Sequence, residues 1–181
     1  IVDDNSSDLT SAVAGPGGFS LNLKLIRNRA SGKKEAIMTG VLNSSAELII
    51  TTDADCRMGR AWLSTIANFY EKERADMIIC PVQILPGKTF PAKFQELEFL
   101  GLQAVTAGTA LAGNATMCNG ANLAFTRTAY LRNSGNLRFD INSGDDIFLL
   151  QSMKREKGSV IAWLESPEAI VKTNPENGVR A

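Results

Sequence analysis

Histidine is absent from all 181 residues. That removes Ser-His-Asp and Cys-His catalysis, histidine-ligated zinc and imidazole proton shuttles. Acid–base chemistry then falls to carboxylates, Lys, Tyr or Cys. A charge excess is also missing, because 19 basic residues balance 19 acidic ones. A nucleic-acid binder needs a basic surplus to neutralise phosphates, so that class is set aside. Cysteine is scarce. Cys56, Cys80 and Cys118 form no CxxC pair and no even-numbered framework; they suit a reducing compartment and packing as small hydrophobes. No apolar run approaches the ~18 residues of a membrane span, and no signal peptide opens the chain. The first residue is Ile1, inside an apolar-then-acidic run, so the sequence reads as a piece of a longer protein.

What is present is ordinary for one soluble globular domain: 44% hydrophobic and 21% charged residues. No repeat, low-complexity stretch or linker divides it, so residues 1–181 are read as a single domain. Ile1-Val2 reads as the tail of a buried strand, and the polar run Asp3 to Asp8 leads to a short helix from Ser7 or Asp8 to Gly15. Leu21, Leu23 and Leu25 alternate with polar residues in a strand closing at Arg27-Asn28. A helix follows Ser31-Gly32-Lys33-Lys34 to about Ser44, and Leu48 to Thr52 is a β-branched strand. Trp62, Ile66 and Phe69 mark another helix, and Met77 to Val82 another buried strand. Phe90, Phe94, Leu97, Gly101, Ala104 and Gly108 recur at four- and three-residue steps, which predicts a long core helix. Shorter elements follow: a strand at Ala121 to Thr126, a helix through Ala129 and Leu131, a helix after Asp145-Asp146, and strands at Val160 to Leu164 and Ala169 to Lys172.

Alternating strands and helices at this spacing predict an α/β fold with a mainly parallel sheet. Ligands bind such sheets at the carboxyl ends of the strands. Asp3-Asp4 and Asp53-Ala54-Asp55 both fall at expected strand ends. Two carboxylates two residues apart suit Mg²⁺ or Mn²⁺, with substrate phosphate completing the shell. A solvated acidic turn has the same composition. Asp145-Asp146 opens a helix, where the macrodipole alone favours acids, and where one carboxylate could equally serve as a general base. Lys33 follows Gly32 at a helix start, either as a solvated first turn or as a phosphate contact. Cys118-Asn119-Gly120-Ala121-Asn122 brings a glycine and two amides before a strand, as a tight turn or a close approach to a ligand.

Taken in order, Val2 to Asp8, Gly32 to Gly40, Asp53-Ala54-Asp55, Cys118 to Phe125 and Gly144-Asp145-Asp146 resemble the family-2 inverting glycosyltransferases across nearly the whole chain. The resemblance implies a GT-A nucleotide-diphospho-sugar transferase fold: a mixed, mainly parallel sheet flanked by helices, with a Rossmann-like nucleotide-binding half. It implies transfer of a sugar from a UDP-sugar to a glycan, lipid or other hydroxyl acceptor. By the same resemblance Asp4, with Asp3 beside it, holds the nucleobase, Lys33 lies near the phosphates, and Asp53 faces the nucleotide sugar. Asp55 (with Asp53) ligates Mg²⁺ or Mn²⁺, Asp146 is the base with Asp145 in place of the usual glutamate, and Asn119, Gly120 and Asn122 line the donor and acceptor side. The family's first strand and its Gln-x-x-Arg-Trp segment do not occur in these residues. The resemblance further implies a parent on the cytoplasmic face of a membrane, and an unpaired strand flank at Ile1-Val2 through which the piece self-associates. The alternatives are a non-catalytic sugar-nucleotide-binding domain and a nucleotidyltransferase on a similar fold.

Overall fold

Residues 77–79 and 123–126 show why the centre of the molecule is a sheet buried on both faces. Met77 and Ile79, with Leu123 and Phe125, point to one side; Ile78 and Ala124 point to the other, and all are buried. Such near-continuous apolar runs belong to strands covered by helices on both sides. The computed structural model describes residues 1–10, 23–29, 31–137 and 144–175. Among these the strands are β1 (Val2–Asp3), β2 (Ile26–Arg27), β3 (Leu48–Thr51), β4 (Arg57–Met58), β5 (Met77–Ile79), β6 (Val82–Ile84), β7 (Leu123–Thr126), β8 (Ile161–Trp163) and β9 (Val171–Thr173). The helices are α1 (Lys33–Leu42), α2 (Trp62–Glu73), α3 (Phe90–Leu111), α4 (Arg127–Asn133) and α5 (Asp145–Arg155). The helix expected between Ser7 and Gly15 and the strand start at Leu21 reach into residues 11–22, outside the described residues.

The central sheet has the order β3-β7-β5-β8. The sheet is mixed and mainly parallel, as the sequence predicts: β3, β5 and β8 run in one direction, and β7 runs antiparallel to both β3 and β5. The register explains it: Leu123, the first residue of β7, sits opposite Thr51 and Ile79, the last residues of β3 and β5. The chain has returned to the carboxyl end of the sheet before β7 begins. One face is covered by Tyr130, Leu149, Leu150 and Met153 from α4 and α5, the other by Trp62, Ile66 and Tyr70 from α2. Ile66 and Tyr70 follow Trp62 at helical spacing, which fixes the face that α2 buries.

Two expectations are corrected. The strand read from Met77 to Val82 is broken at Cys80-Pro81, because proline has no N–H for a central ladder. Beyond the break, β6 joins a separate sheet of order β4-β9-β6 and runs parallel to β9. The long helix forms as expected, and Thr89 caps it by accepting from the Ala92 N–H. Its stripe of Phe90, Phe94 and Leu97 faces outward, however; the buried residues of α3 are Ala92, Thr106 and Ala110. Among the described residues no helix is long and apolar enough to cross a membrane. The cysteines are free, and burial pushes the Cys80 thiol up to about 12.

Candidate active site

The carboxyl ends of β3 and β5, the amino end of α1 and the amino end of α5 meet at one edge of the central sheet. The β-branched strand β3 ends at Thr51 and releases the chain into the turn that carries Asp53 and Asp55. Gly32 precedes α1 with φ of 112°, a conformation that L side chains rarely adopt. Its N–H donates to Asp4 Oδ2 at 2.9 Å, and Asn28 Nδ2 donates to Asp4 Oδ1 at 2.7 Å. Asp4 thus braces the turn that aims Lys33, whose Nζ lies 2.8 Å from Asp53 Oδ1.

Gly144, at φ 76°, lets the chain turn into α5 with Asp145 and Asp146 in its first turn, where the helix dipole favours acids. Asp146 Oδ2 accepts the Gly120 N–H at 2.9 Å. A methyl group on Gly120 would come within 3.6 Å of Lys33 Nζ, 3.7 Å of Asp146 Oδ2 and 3.8 Å of Asp145 Oδ2. That glycine is where the lysine and both acids converge, each within van der Waals reach of that methyl position. Desolvation raises the Asp145 carboxyl above its ordinary value against the opposing pull of Lys33, and Asp146 adds to the rise. Burial draws the Lys33 ammonium down, but the hydrogen bond and charge of Asp53, with Asp145 and Asp146, leave it raised.

Beside this cluster lies a cleft of about 360 Å³ lined by Asp53, Asp55, Asn119, Ala121, Thr173 and the α3 residues Gln95, Glu98, Phe99 and Leu102. Thr173, at the end of β9, donates from Oγ1 to Asp55 Oδ2 at 3.0 Å. Thr173 is not among the residues that the sequence singles out, and no local signal in Val171-Lys172-Thr173 marks it. The α3 wall was missed for a different reason, since its apolar periodicity looked like core.

Of the residues singled out in the sequence, Asp4, Lys33, Asp53, Asp55, Asn119, Gly120, Asp145 and Asp146 lie around this cluster and cleft. Asp3 and Asn122 are set apart. Asp3 is 6% exposed and accepts the Ser6 N–H through Oδ1, so it shapes the turn after β1. Asn122 is fully buried. Its Oδ1 accepts from Trp62 Nε1 at 3.0 Å, and its Nδ2 donates to the Pro81 and Ala169 carbonyls at 2.7 and 2.8 Å. These contacts tie α2, the start of β7 and the Pro81 break together behind the cleft.

Asp53 and Asp55 supply hard oxygen donors on one turn, and a cation already sits on Asp53 in the form of the Lys33 ammonium. This donor chemistry fits Mg²⁺ or Mn²⁺ held by one or two carboxylates and substrate phosphates. Among the described residues no three His, Cys, Asp or Glu side chains converge as an all-protein metal cage.

Solved structures share the fold. A Staphylococcus aureus TarS fragment, residues 1–349, is similar with a TM-score of 0.69 and 19% identity, over 96% of this chain and 50% of that one. The same fragment in complex with UDP-GlcNAc gives 0.69 and 17%, over 98% and 49%. Mycobacterium tuberculosis glucosyl-3-phosphoglycerate synthase, in complex with Mn²⁺, UDP-glucose and phosphoglyceric acid, gives 0.61 and 16%, over 99% and 61%. The chain therefore spans about half the length of the TarS fragment. No curated protein matches it in sequence. The family model described as Glycosyl transferase family 2 matches residues 1–133 of the 181, and with the fold and the carboxylate pattern on the same chain, the protein belongs to that family.

Proposed function

We propose that this domain transfers a sugar from a nucleotide-diphosphate donor, a UDP-sugar, to a hydroxyl acceptor by one displacement that inverts the anomeric centre. The observation that carries the reading is the convergence of Lys33, Asp145 and Asp146 on Gly120, with Lys33 paired to Asp53 on the wall of the adjoining cleft. The UDP-GlcNAc and UDP-glucose complexes of the two similar proteins support the donor class.

Lys33, at the amino end of α1, offers an ammonium to the diphosphate once the donor competes for it with Asp53. Asp4 is exposed, and each of its oxygens keeps a lone pair beyond its one bond, which suits a nucleobase N–H. Asp53 and Asp55 would hold Mg²⁺ or Mn²⁺, which when bound neutralises charge on the departing diphosphate. Asp146, fixed by the Gly120 N–H, takes the acceptor hydroxyl proton as that oxygen attacks the anomeric carbon. Asn119 and the α3 residues Gln95 and Glu98 offer polar groups to the acceptor along the cleft. No histidine and no covalent nucleophile is needed.

The test is a panel of UDP-sugars with the full-length protein, reading UDP release with and without candidate hydroxyl acceptors. Acceptor-dependent release from one donor, lost in Asp146→Asn, supports transfer. Tight donor binding without turnover would leave a binding domain instead.

A further inference from the structure

The outward stripe of α3 reads the same in both directions. Phe90, Phe94, Leu97, Gly101, Ala104 and Gly108 follow one another at steps of four, three, four, three and four. The first three are large and the last three small. Laid antiparallel against a second copy with the two-fold axis at position 99, Phe90 falls opposite Gly108, Phe94 opposite Ala104, and Leu97 opposite Gly101. Every bulky side chain meets a hollow, the size alternation that lets facing layers interdigitate. An isologous interface requires this kind of self-complementarity.

All six positions lie on the solvent side of the helix. Phe90 is 81% exposed, Leu97 68% and Leu100 65%; Phe94, Val105 and Leu111 are also exposed. At roughly 100 Å² for each of these six large apolar side chains, the face offers about 600 Å². The largest apolar patch on a typical monomer is ~300–600 Å², and a standard interface takes ~800 Å² from each partner. The area thus approaches what a stable pair needs. About this axis Leu100 falls opposite Glu98 and Lys93 opposite Val105, so these pairs flank the stripe and leave its six central positions apolar.

We infer that the exposed face of α3 binds a second copy of this chain in an antiparallel helix pair centred on position 99. The inner face of the same helix lines the cleft, so the pairing buttresses one wall of each candidate active site. This surface is distinct from the Ile1-Val2 flank at which the sequence placed self-association. The inference does not depend on the proposed activity, because its readout is mass.

The test is sedimentation velocity across a range of concentrations, with thermal melting of the same samples. A side chain added at Gly101 or Gly108 meets nothing within 4 Å beyond its own helix, and leucine is the better helix former. Gly101→Leu/Gly108→Leu should leave the monomer as heat-stable as the wild type or more so. It should also weaken dimerisation at least tenfold by filling both hollows. Leu97→Glu, at an exposed site, should abolish the dimer as well. A wild-type chain that stays monomeric throughout, or a leucine variant that dimerises as tightly, overturns the proposal. So does tighter binding of the leucine variant than of a monomeric wild type to phosphatidylcholine vesicles, which would make the face a lipid-contact surface.

Discussion

Lys33 Nζ and Asp53 Oδ1 lie 2.8 Å apart, joining the first residue of α1 to the turn after β3. Both side chains are nearly half exposed, so the pair adds well under ~1 kcal/mol to stability. Its consequence is positional: the ammonium is held where a diphosphate would displace it. Lys33→Met should leave the thermal midpoint within about 2 °C. The same change should weaken UDP binding by ~10–100-fold, the range for one charge-assisted hydrogen bond. Calorimetry and melting curves on one preparation separate the two effects. A large fall in midpoint with unchanged UDP affinity would make the pair structural.

Asp146→Asn keeps an oxygen that can accept the Gly120 N–H but removes the proton acceptor. Turnover with the best donor and acceptor should fall by ~10²–10⁴-fold, while the dissociation constant for UDP moves little. A variant that turns over as fast as wild type removes Asp146 from the base role.

Asp145 carries a carboxyl raised by desolvation, with Asp146 adding to the rise and Lys33 opposing it. A raised folded-state value means that the folded chain holds the proton more tightly than the unfolded chain. Ionised Asp145 therefore costs stability at neutral pH, and that cost fades as the pH falls through the raised value toward 3.8. Asp145→Asn should raise the midpoint at pH 7 by about 2 °C, given the screening of a half-buried group. The gain should vanish near pH 3. Melting across that range checks it, and a loss of stability at neutral pH would show that Lys33 outweighs burial.

Much of this site was legible because its parts are local. A β-branched run ending in Asp-Ala-Asp, and a Gly before Lys at a helix start, place Asp53 and Lys33 at neighbouring element ends. What stayed hidden depends on contacts far apart in sequence. Thr173 reaches Asp55 across 118 residues, and nothing in the Val171-Lys172-Thr173 string points there. Asn122 sits in a polar-looking loop, yet it is buried because Trp62 and two carbonyls need its amide. The period of α3 was clear but its orientation was not. Phe99, Ala92, Thr106 and Ala110 give the helix a second apolar side, and only the positions of β6 and β8 decide which side turns inward.

Asn122→Ala removes three side-chain hydrogen bonds at a fully buried position. It leaves the Trp62 N–H and two carbonyls without these partners. A cost of about 3 kcal/mol follows, which lowers the midpoint by about 6–12 °C for a chain of this size. UDP affinity of the folded fraction should stay within threefold of wild type. A stable variant with weakened donor binding would restore Asn122 to the cleft.

Asp55 and Thr173 test the metal assignment together. If Asp55 ligates Mn²⁺, Asp55→Ala should abolish the gain in UDP affinity that Mn²⁺ brings, and leave metal-free binding nearly unchanged. Thr173→Val preserves shape but deletes the hydroxyl that donates to Asp55 Oδ2 at 3.0 Å. Residues that orient a ligand typically change metal affinity by ~10–100-fold. Since this carboxylate is partly solvated, the lower end is expected, with Thr173→Ser recovering most of the loss. Titrations of UDP with and without Mn²⁺ on all three variants decide the matter. Equal losses under both conditions in Asp55→Ala would mean that the carboxylate contacts the nucleotide and not a cation, and that Thr173 orients a donor contact instead.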